Sequence, residues 1–293
     1  MTMPRRRVLV TGAQGLLGAA IIREFANTTE VIARGHADLD VADEGAVAAA
    51  FDELRPGAVI NCAAYNNVDA AEDLPVETLS VNAFGVLALA RAAANHNAAL
   101  VHYSSDFVFD GTASRPYTEE DQPNPRGVYA ASKLLGEWLA LETLEGRAAW
   151  VLRVESLFGD PGPGSTRSGS LGTIIRRIQD GEEVPVFVDR TVSPSYTADV
   201  ARATRVLLGS GVTPGLYHCV NSGAATWAEI AEEVARLLGR PLQMKPITLE
   251  SAALKAPRPR YCALSNDRLT AAGIAMPTWR DALARYLAPT RPA

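Results

Sequence analysis

Cysteine and histidine are scarce, three and four in 293 residues, and none falls into a recognisable site pattern. Cys62, Cys219 and Cys262 are widely spaced with no C-x-x-C pair, which favours buried thiols over a zinc or redox centre. His36, His96, His102 and His218 form no H-x-x-x-H or H-E-x-x-H pattern, so no metal is expected and a metal-dependent hydrolase is disfavoured. No run approaches the ~18 apolar residues of a membrane-spanning helix. After Arg5 to Arg7 only Val8, Leu9 and Val10 precede Thr11 and Gly12, too few for the apolar stretch of a secretory signal. Those arginines read as a solvated leader, and the expected location is cytoplasmic, away from membranes. An excess of positive charge is also missing: the net charge of -5 argues against nucleic-acid binding. What remains, 47% hydrophobic and 21% charged residues, is the composition of a globular protein, large enough for a nucleotide-binding core with a smaller lobe.

From residue 7 to about 154, short β-branched runs alternate with longer helical patterns, the signature of βαβ units and a parallel sheet. Five strands are expected: Arg7 to Thr11, Glu30 to Ala33, Ala58 to Asn61, Ala99 to Ser104 and Ala149 to Val154, each apolar enough for burial on both faces. Helices are expected from Leu16, over Pro75 to Asn95, and over Val128 to Glu145, where Leu134, Leu135, Trp138 and Leu141 share one face. Gly159 to Gly172 holds five glycines and two prolines and reads as a mobile loop beside the active-site cleft. Beyond it the pattern shortens: a helix over Leu171 to Asp180, a strand over Val184 to Val188, a helix over Tyr196 to Leu208 and a strand over Leu216 to Val220. A capping box of Thr226 with Glu229 opens one more helix, which Gly239 ends. The expected fold is α/β, a doubly wound parallel Rossmann sheet with a smaller C-terminal substrate-binding lobe. Residues 1–155 form the nucleotide-binding domain, and 156–293 mainly the lobe, with some segments returning to the core.

Directly after the first strand, T-G-A-Q-G-L-L-G places Gly12, Gly15 and Gly18 in G-x-x-G-x-x-G spacing. At a strand end that opens a helix, this gives a tight turn, close backbone approach and a helix N-terminus facing a pyrophosphate. Gln14, Leu16 and Leu17 of that turn join the expected cofactor contacts. Arg34 stands where an acid would grip the ribose 2'-hydroxyl, and could instead meet a 2'-phosphate. Asp40 and Val41 are placed to contact adenine; an ordinary turn acid is the competing reading of Asp40. In N-C-A-A-Y, Ala63 and Ala64 leave room for the nicotinamide ribose, although small residues at a strand end also serve packing.

The fourth strand ends in Y-S-S-D-F-V-F-D-G, and V-Y-A-A-S-K follows one helix-loop unit later. Tyr129 and Lys133, four apart, share one helix face. A phenol of pKa about 10 needs a nearby cation to favour the phenolate, which Lys133 and an oxidised nicotinamide would supply. Ser105, at the carboxyl end of a central strand, could polarise a reacting carbonyl. In A-P-R-P-R-Y-C, Pro257 and Pro259 hold Arg258 on a stiff extended backbone, suited to a diphosphate or simply to the surface.

These segments, with N-C-A-A-Y-N-N-V-D-A-A-E and G-L-Y-H-C-V, resemble the extended short-chain dehydrogenase/reductases, and within them the dTDP-4-dehydrorhamnose reductase group, over nearly the whole chain. The resemblance implies NADP(H), with NAD(H) as the alternative, and reduction of the C4 ketone of a nucleotide-linked 6-deoxy-4-keto sugar. It makes Tyr129 the proton donor and Lys133 its electrostatic partner and cofactor ligand. Tyr103 and Ala63 to Tyr65 would line the cofactor, and Ser105, Asp106, Ser156 and Arg258 the substrate. The expected partner is a nucleotide sugar, and a homodimer is one assembly left open. Three segments depart from the group, all on the substrate side: S-S-D-F for S-T-D-Y, R-V-E-S for R-T-S-W, and D-R-T-V-S-P-S-Y for Q-x-G-x-P-T. Two other readings fit the resemblance. One is an epimerase or dehydratase of the same fold; the other is a non-catalytic subunit like the regulatory beta subunit of methionine adenosyltransferase.

Overall fold

The computed structural model describes residues 7–162 and 169–288. Its first half runs β1 (Arg7–Thr11), α1 (Leu16–Phe25), β2 (Glu30–Arg34), α2 (Glu44–Leu54), β3 (Ala58–Asn61), α3 (Pro75–Leu79), α4 (Gly85–His96), β4 (Ala99–Ser105), α5 (Val128–Thr143) and β5 (Ala149–Val154). Then follow β6 (Leu157–Phe158), α6 (Gly169–Asp180), β7 (Val184–Phe187), β8 (Thr191–Val192), β9 (Ser195–Tyr196), α7 (Thr197–Gly209) and β10 (Gly215–His218). The last elements are β11 (Ala225–Thr226), α8 (Trp227–Leu238), β12 (Met244–Ile247), α9 (Asp267–Ala271) and α10 (Trp279–Leu287).

Six parallel strands form the central sheet in the order β2-β1-β3-β4-β5-β10. Strand alternation divides the core: Val8 and Val10 pack with Ile21, Phe25 and Val200 on one face, while Leu9 packs with Phe51, Leu89 and Leu144 on the other. Each such buried side chain contributes roughly 1.5–3 kcal/mol. The order reverses at β1, and there the crevice beyond the carboxyl ends of the strands opens. A separate core, containing Phe158, Ile174, Ile178, Trp227, Ile230, Val234 and Trp279, holds the smaller lobe together. Its α8 carries the expected capping box between Thr226 and Glu229, and Gly239 ends it in the left-handed region.

Two late segments join the central sheet's half of the molecule: α7 packs its Val200 and Leu207 into the core of the central sheet, and β10 pairs with β5. Other local expectations are corrected. The glycine-rich segment is partly regular, since Gly169 to Gly172 open α6; residues 163–168 of the expected loop lie outside the described residues. The long helix from Pro75 contains a π turn at Ser80–Phe84. By length and composition Pro75–His96 could cross a bilayer, but 56% of its most apolar window is buried in the fold, which makes it a core helix.

The largest correction concerns α5. The apolar stripe expected to face the core does not: Trp138 is 58% exposed, and Leu134, Leu135 and Leu141 are only partly buried. The inward face is Tyr129, Ala130, Ser132, Lys133, Gly136, Glu137 and Ala140. Small residues allow that approach. A Cβ on Gly136 would lie 2.3 Å from the Asn82 carbonyl oxygen, so the helix sits against the π turn only because residue 136 has no side chain. Glu137 then meets Arg153 of β5 through two bonds of 2.8 and 2.7 Å, both side chains almost fully buried. Removing one partner strands the other charge. Glu137→Ala is therefore expected to cost about 3–5 kcal/mol of unfolding free energy in urea titrations. A loss below ~1 kcal/mol, the worth of an ordinary surface pair, would mean that Arg153 is not held by this pair.

Candidate active site

The glycine turn between β1 and α1 is built as the spacing requires. Gly12 has φ +63°, and a Cβ there would fall 2.5 Å from the Cys62 backbone; a Cβ on Gly18 would fall 2.3 Å from the Gly12 carbonyl oxygen. Both close approaches demand glycine. The N-terminus of α1 carries no side-chain cap and no acidic residue in its first turn, so its amides face the cleft without a competing anion. A cleft of about 800 Å³ runs from Gly15, Leu16, Leu17 and Gly18, past Asn61 to Ala64 and Tyr103 to Phe107, to Glu155, Ser156, Arg190 and Arg258. Tyr129 and Lys133 line it. These residues fit a dinucleotide: a side-chain-free turn, a helix N-terminus and a buried ammonium along one groove.

Helix α5 is aimed by bonds to its polar face. Lys133 donates to the Tyr103 carbonyl at 2.6 Å. Ser132 gives its proton to the Tyr129 carbonyl and accepts one from Asn82, whose amide also clamps both backbone polar groups of Tyr65. Glu72, from the loop after β3, accepts the Val128 amide at 2.7 Å and so caps the helix start. At the end of β4, Ser105 accepts the Phe107 amide and donates to Asp106 at 2.8 Å.

The electrostatics differ from expectation at Tyr129. Burial, reinforced by the negative field of Asp106, pushes the phenol up to about 12 against the Ser105 hydroxyl, so Lys133 does not bring it toward the phenolate. Burial instead lowers Lys133 to about 8, although Glu137 and Cys62 pull it upward. The tyrosine is thus held as a loaded acid.

Other expected residues are placed less simply. Gln14 lies against Gly35, next to Arg34 at the end of β2, and the Arg34 guanidinium donates to the Ala33 carbonyl. A few residues on, Asp38 accepts the Gly35 amide at 2.9 Å. Asp40 is exposed and accepts the Ala42 amide, as a turn acid does. Val41 is 3% exposed and packs its side chain on Gly85, so a contact to adenine would come from its backbone. Tyr65 is held by its backbone and does not line the cleft. Ser156 does line it, with φ +43°, a strained conformation for a residue with a side chain. Arg258 also lines it, but its guanidinium is engaged by Asp69 at 2.9 Å and by the Ala256 carbonyl, an alternative the sequence did not raise.

Sequence reasoning missed the buried group beneath the substrate end. Asp106, Glu155 and Cys262 bring their donor atoms within 4.8 Å of one another, with Arg190 3.8 Å from Asp106. Glu155 and Arg190 sit in R-V-E-S and D-R-T-V, the two segments singled out only as departures from a pattern. The Arg190 guanidinium already supplies positive charge here.

The family model described as the RmlD substrate binding domain matches residues 6–291. The chain belongs to this family. It is 39% identical over 290 residues to the dTDP-4-dehydrorhamnose reductase of Streptomyces griseus, covering 96% of this chain and 92% of that one. It is also 39% identical over 284 residues to a probable dTDP-4,6-dihydroxy-2-methyloxan-3-one 4-ketoreductase of Streptomyces antibioticus, at 94% and 93% coverage. Among solved structures, the Bacillus anthracis dTDP-4-dehydrorhamnose reductase in complex with NADP superposes with a TM-score of 0.90 at 30% identity, covering 98% and 100% of the two chains. A Thermus thermophilus UDP-glucose 4-epimerase complexed with NAD, at 23% identity and TM-score 0.81, shares the fold.

The depressed Lys133 has a measurable signature. Below about pH 8 its ammonium is charged in both the folded and the unfolded chain, so the full burial cost is present. Between about 8 and its ordinary value of 10.5 the unfolded chain binds more protons, and stability rises with pH. Relative to Lys133→Met, which has no such proton, the cofactor-free protein is expected to gain roughly 1–3 kcal/mol between pH 7.5 and 10. A pH-independent difference in urea unfolding would show that Lys133 titrates normally.

Proposed function

We propose that this protein is an NADPH-dependent reductase of a nucleotide-linked 6-deoxy-4-keto sugar, with dTDP-4-dehydrorhamnose as substrate and dTDP-L-rhamnose as product. The observation that carries the reading is that Tyr129 and Lys133 of α5 and Ser105 of β4 line one cleft with the glycine turn, in a chain matching the family over residues 6–291. NADH is the second cofactor to test. The relatives' names support the substrate class, but two relatives of equal identity carry names for different sugars, so the sugar is the part most in need of assay.

When bound, the reduced nicotinamide supplies a hydride. The chain supplies the rest. The turn of Gly12, Gly15 and Gly18 with the α1 N-terminus would hold the pyrophosphate, and Ala63, Ala64 and the Lys133 ammonium the nicotinamide ribose. Tyr129, protonated up to about pH 12, delivers the proton to the carbonyl oxygen of the sugar. Ser105 gives its own proton to Asp106 here, so it polarises that oxygen only when its hydroxyl turns from Asp106 toward substrate. Arg258 meets the diphosphate by exchanging Asp69 for it. A cytoplasmic location and a homodimer belong to the same reading; the exposed Trp138 and Phe84 mark the face to test by sedimentation.

The test is NADPH and NADH oxidation over a panel of nucleotide-linked 4-keto sugars. Tyr129→Phe is expected to lower kcat by ~10²- to 10⁴-fold with NADPH affinity nearly unchanged. A variant retaining half the wild-type turnover would remove Tyr129 from the acid role. Arg258→Ala is expected to raise KM for the nucleotide sugar and leave that for NADPH alone, because a lost diphosphate contact affects binding rather than chemistry. An unchanged sugar KM would shift the diphosphate to Arg260. Wild-type protein that binds NADP(H) but reduces no sugar in the panel would favour the regulatory-subunit reading. Tightly held NAD that does not exchange would favour the epimerase or dehydratase.

A further inference from the structure

Three polar atoms buried beneath the sugar end of the cleft have no hydrogen-bond partner among the described residues: Asp106 Oδ2, Glu155 Oε1 and Arg190 Nε. All three residues line the cleft. The other oxygen of each carboxyl is committed. Glu155, 1% exposed, accepts the Ser193 amide through Oε2 at 2.6 Å; Asp106, 3% exposed, accepts the Ser105 hydroxyl through Oδ1. Arg190 donates to Cys262 Sγ and lies over the Phe107 ring. Unpaired groups at this depth destabilise a fold unless a ligand completes them.

We propose that Glu155 is a specificity-determining residue that, with Asp106 and Arg190, takes the sugar hydroxyl on the carbon next to the reacting carbonyl. The inference rests on the reductase reading above. A hydroxyl both donates and accepts, so it complements a site that offers both kinds of group, which a bare cation or an apolar substituent does not. Two carboxyls this close, deeply buried and beside a single guanidinium, do not both ionise. Burial raises both carboxyls, but Arg190 and the Ser105 hydroxyl favour the Asp106 carboxylate, so the shared proton is assigned to Glu155. The hydroxyl then accepts from Glu155 and donates to Asp106. Asp106 directly follows Ser105 and accepts its hydroxyl proton, so the hydroxyl assigned to this group is the one nearest the carbonyl that Ser105 and Tyr129 address.

The experiment compares kcat/KM for the 4-keto-6-deoxy sugar nucleotide and for its analogue with hydrogen in place of the hydroxyl next to the ketone. Wild type is expected to prefer the hydroxylated substrate by roughly 10- to 100-fold, because the analogue leaves the buried groups unpaired. Glu155→Gln places an amide N–H where the acid proton was and leaves its oxygen for Ser193, so the preference stays within about threefold of wild type. Glu155→Met keeps the shape without the hydrogen bond, and the preference falls about tenfold. Each ratio is internal to one variant, so altered stability cancels. An unchanged ratio in Glu155→Met overturns the proposal. So does a wild type that reduces both substrates equally well, however the variants fold. Wild type that reduces neither overturns the reductase reading instead.

Discussion

Everything in the cleft is registered to the inward polar face of α5. A helix normally packs through an apolar stripe, whose contacts tolerate small rotations. This one packs through directional bonds. Glu137 is fixed to Arg153 of β5, Lys133 to the Tyr103 carbonyl of β4, and Ser132 to Asn82 of the π turn. Three different neighbours therefore set the rotation of a single helix, and Tyr129, one turn before Lys133, inherits that setting. The missing side chain at Gly136 sets the depth. Preorganisation of this kind leaves little reorganisation for the moment of proton transfer.

The same stripe explains the charge states. Lys133 lies one turn from Glu137, which favours its ammonium, while burial disfavours it; the two effects leave a lysine able to titrate near neutral pH. Arg153 is shared outward to His218, whose Nδ1 faces the Tyr117 and Ser265 carbonyls and so carries the proton, leaving Nε2 to accept from the guanidinium. Burial and Arg153 lower that imidazole to about 3, so it stays neutral in this arrangement. The charge network under α5 thus extends through β5 to β10, the strand that returns late in the sequence to close the sheet.

What was legible in the sequence is local. The five strand runs, the glycine turn and the Tyr129–Lys133 pair each depend on residues a few positions apart, where chain geometry alone determines who meets whom. The inward face of α5 was misread because hydrophobicity identifies a buried stripe only when the partner surface is apolar. Here the partner is β5 with its arginine and the π turn with its asparagine, so Trp138 turns outward and the leucines flank the inward face, partly buried. Which late segments return to the core was not legible, because a strand as short as β10 has no periodicity that tells which sheet it joins. Val41 shows that one residue can serve two ends, since the fold uses its side chain for packing while its backbone stays beside Asp40.

The substrate end lies beyond such reading for a further reason. Asp106 follows β4, Glu155 follows β5, Arg190 precedes β8 and Cys262 lies near the C-terminal helices, so their meeting is a product of topology. A motif search sees only that Glu155 and Ser156 depart from a familiar pattern. In the structure the two adjoin. Ser156 takes a left-handed backbone conformation where β5 hands the chain to β6, and Glu155, one residue earlier, faces inward to bond Ser193. Where the resemblance implies a wide aromatic side chain this chain carries the small Ser156, with the Glu155 carboxyl beside it next to Asp106. Cofactor binding and proton transfer rest on parts common to many sugars. Discrimination among sugars rests on this carboxyl, and so can change by a pair of adjacent substitutions while α5 and its bonds stay as they are.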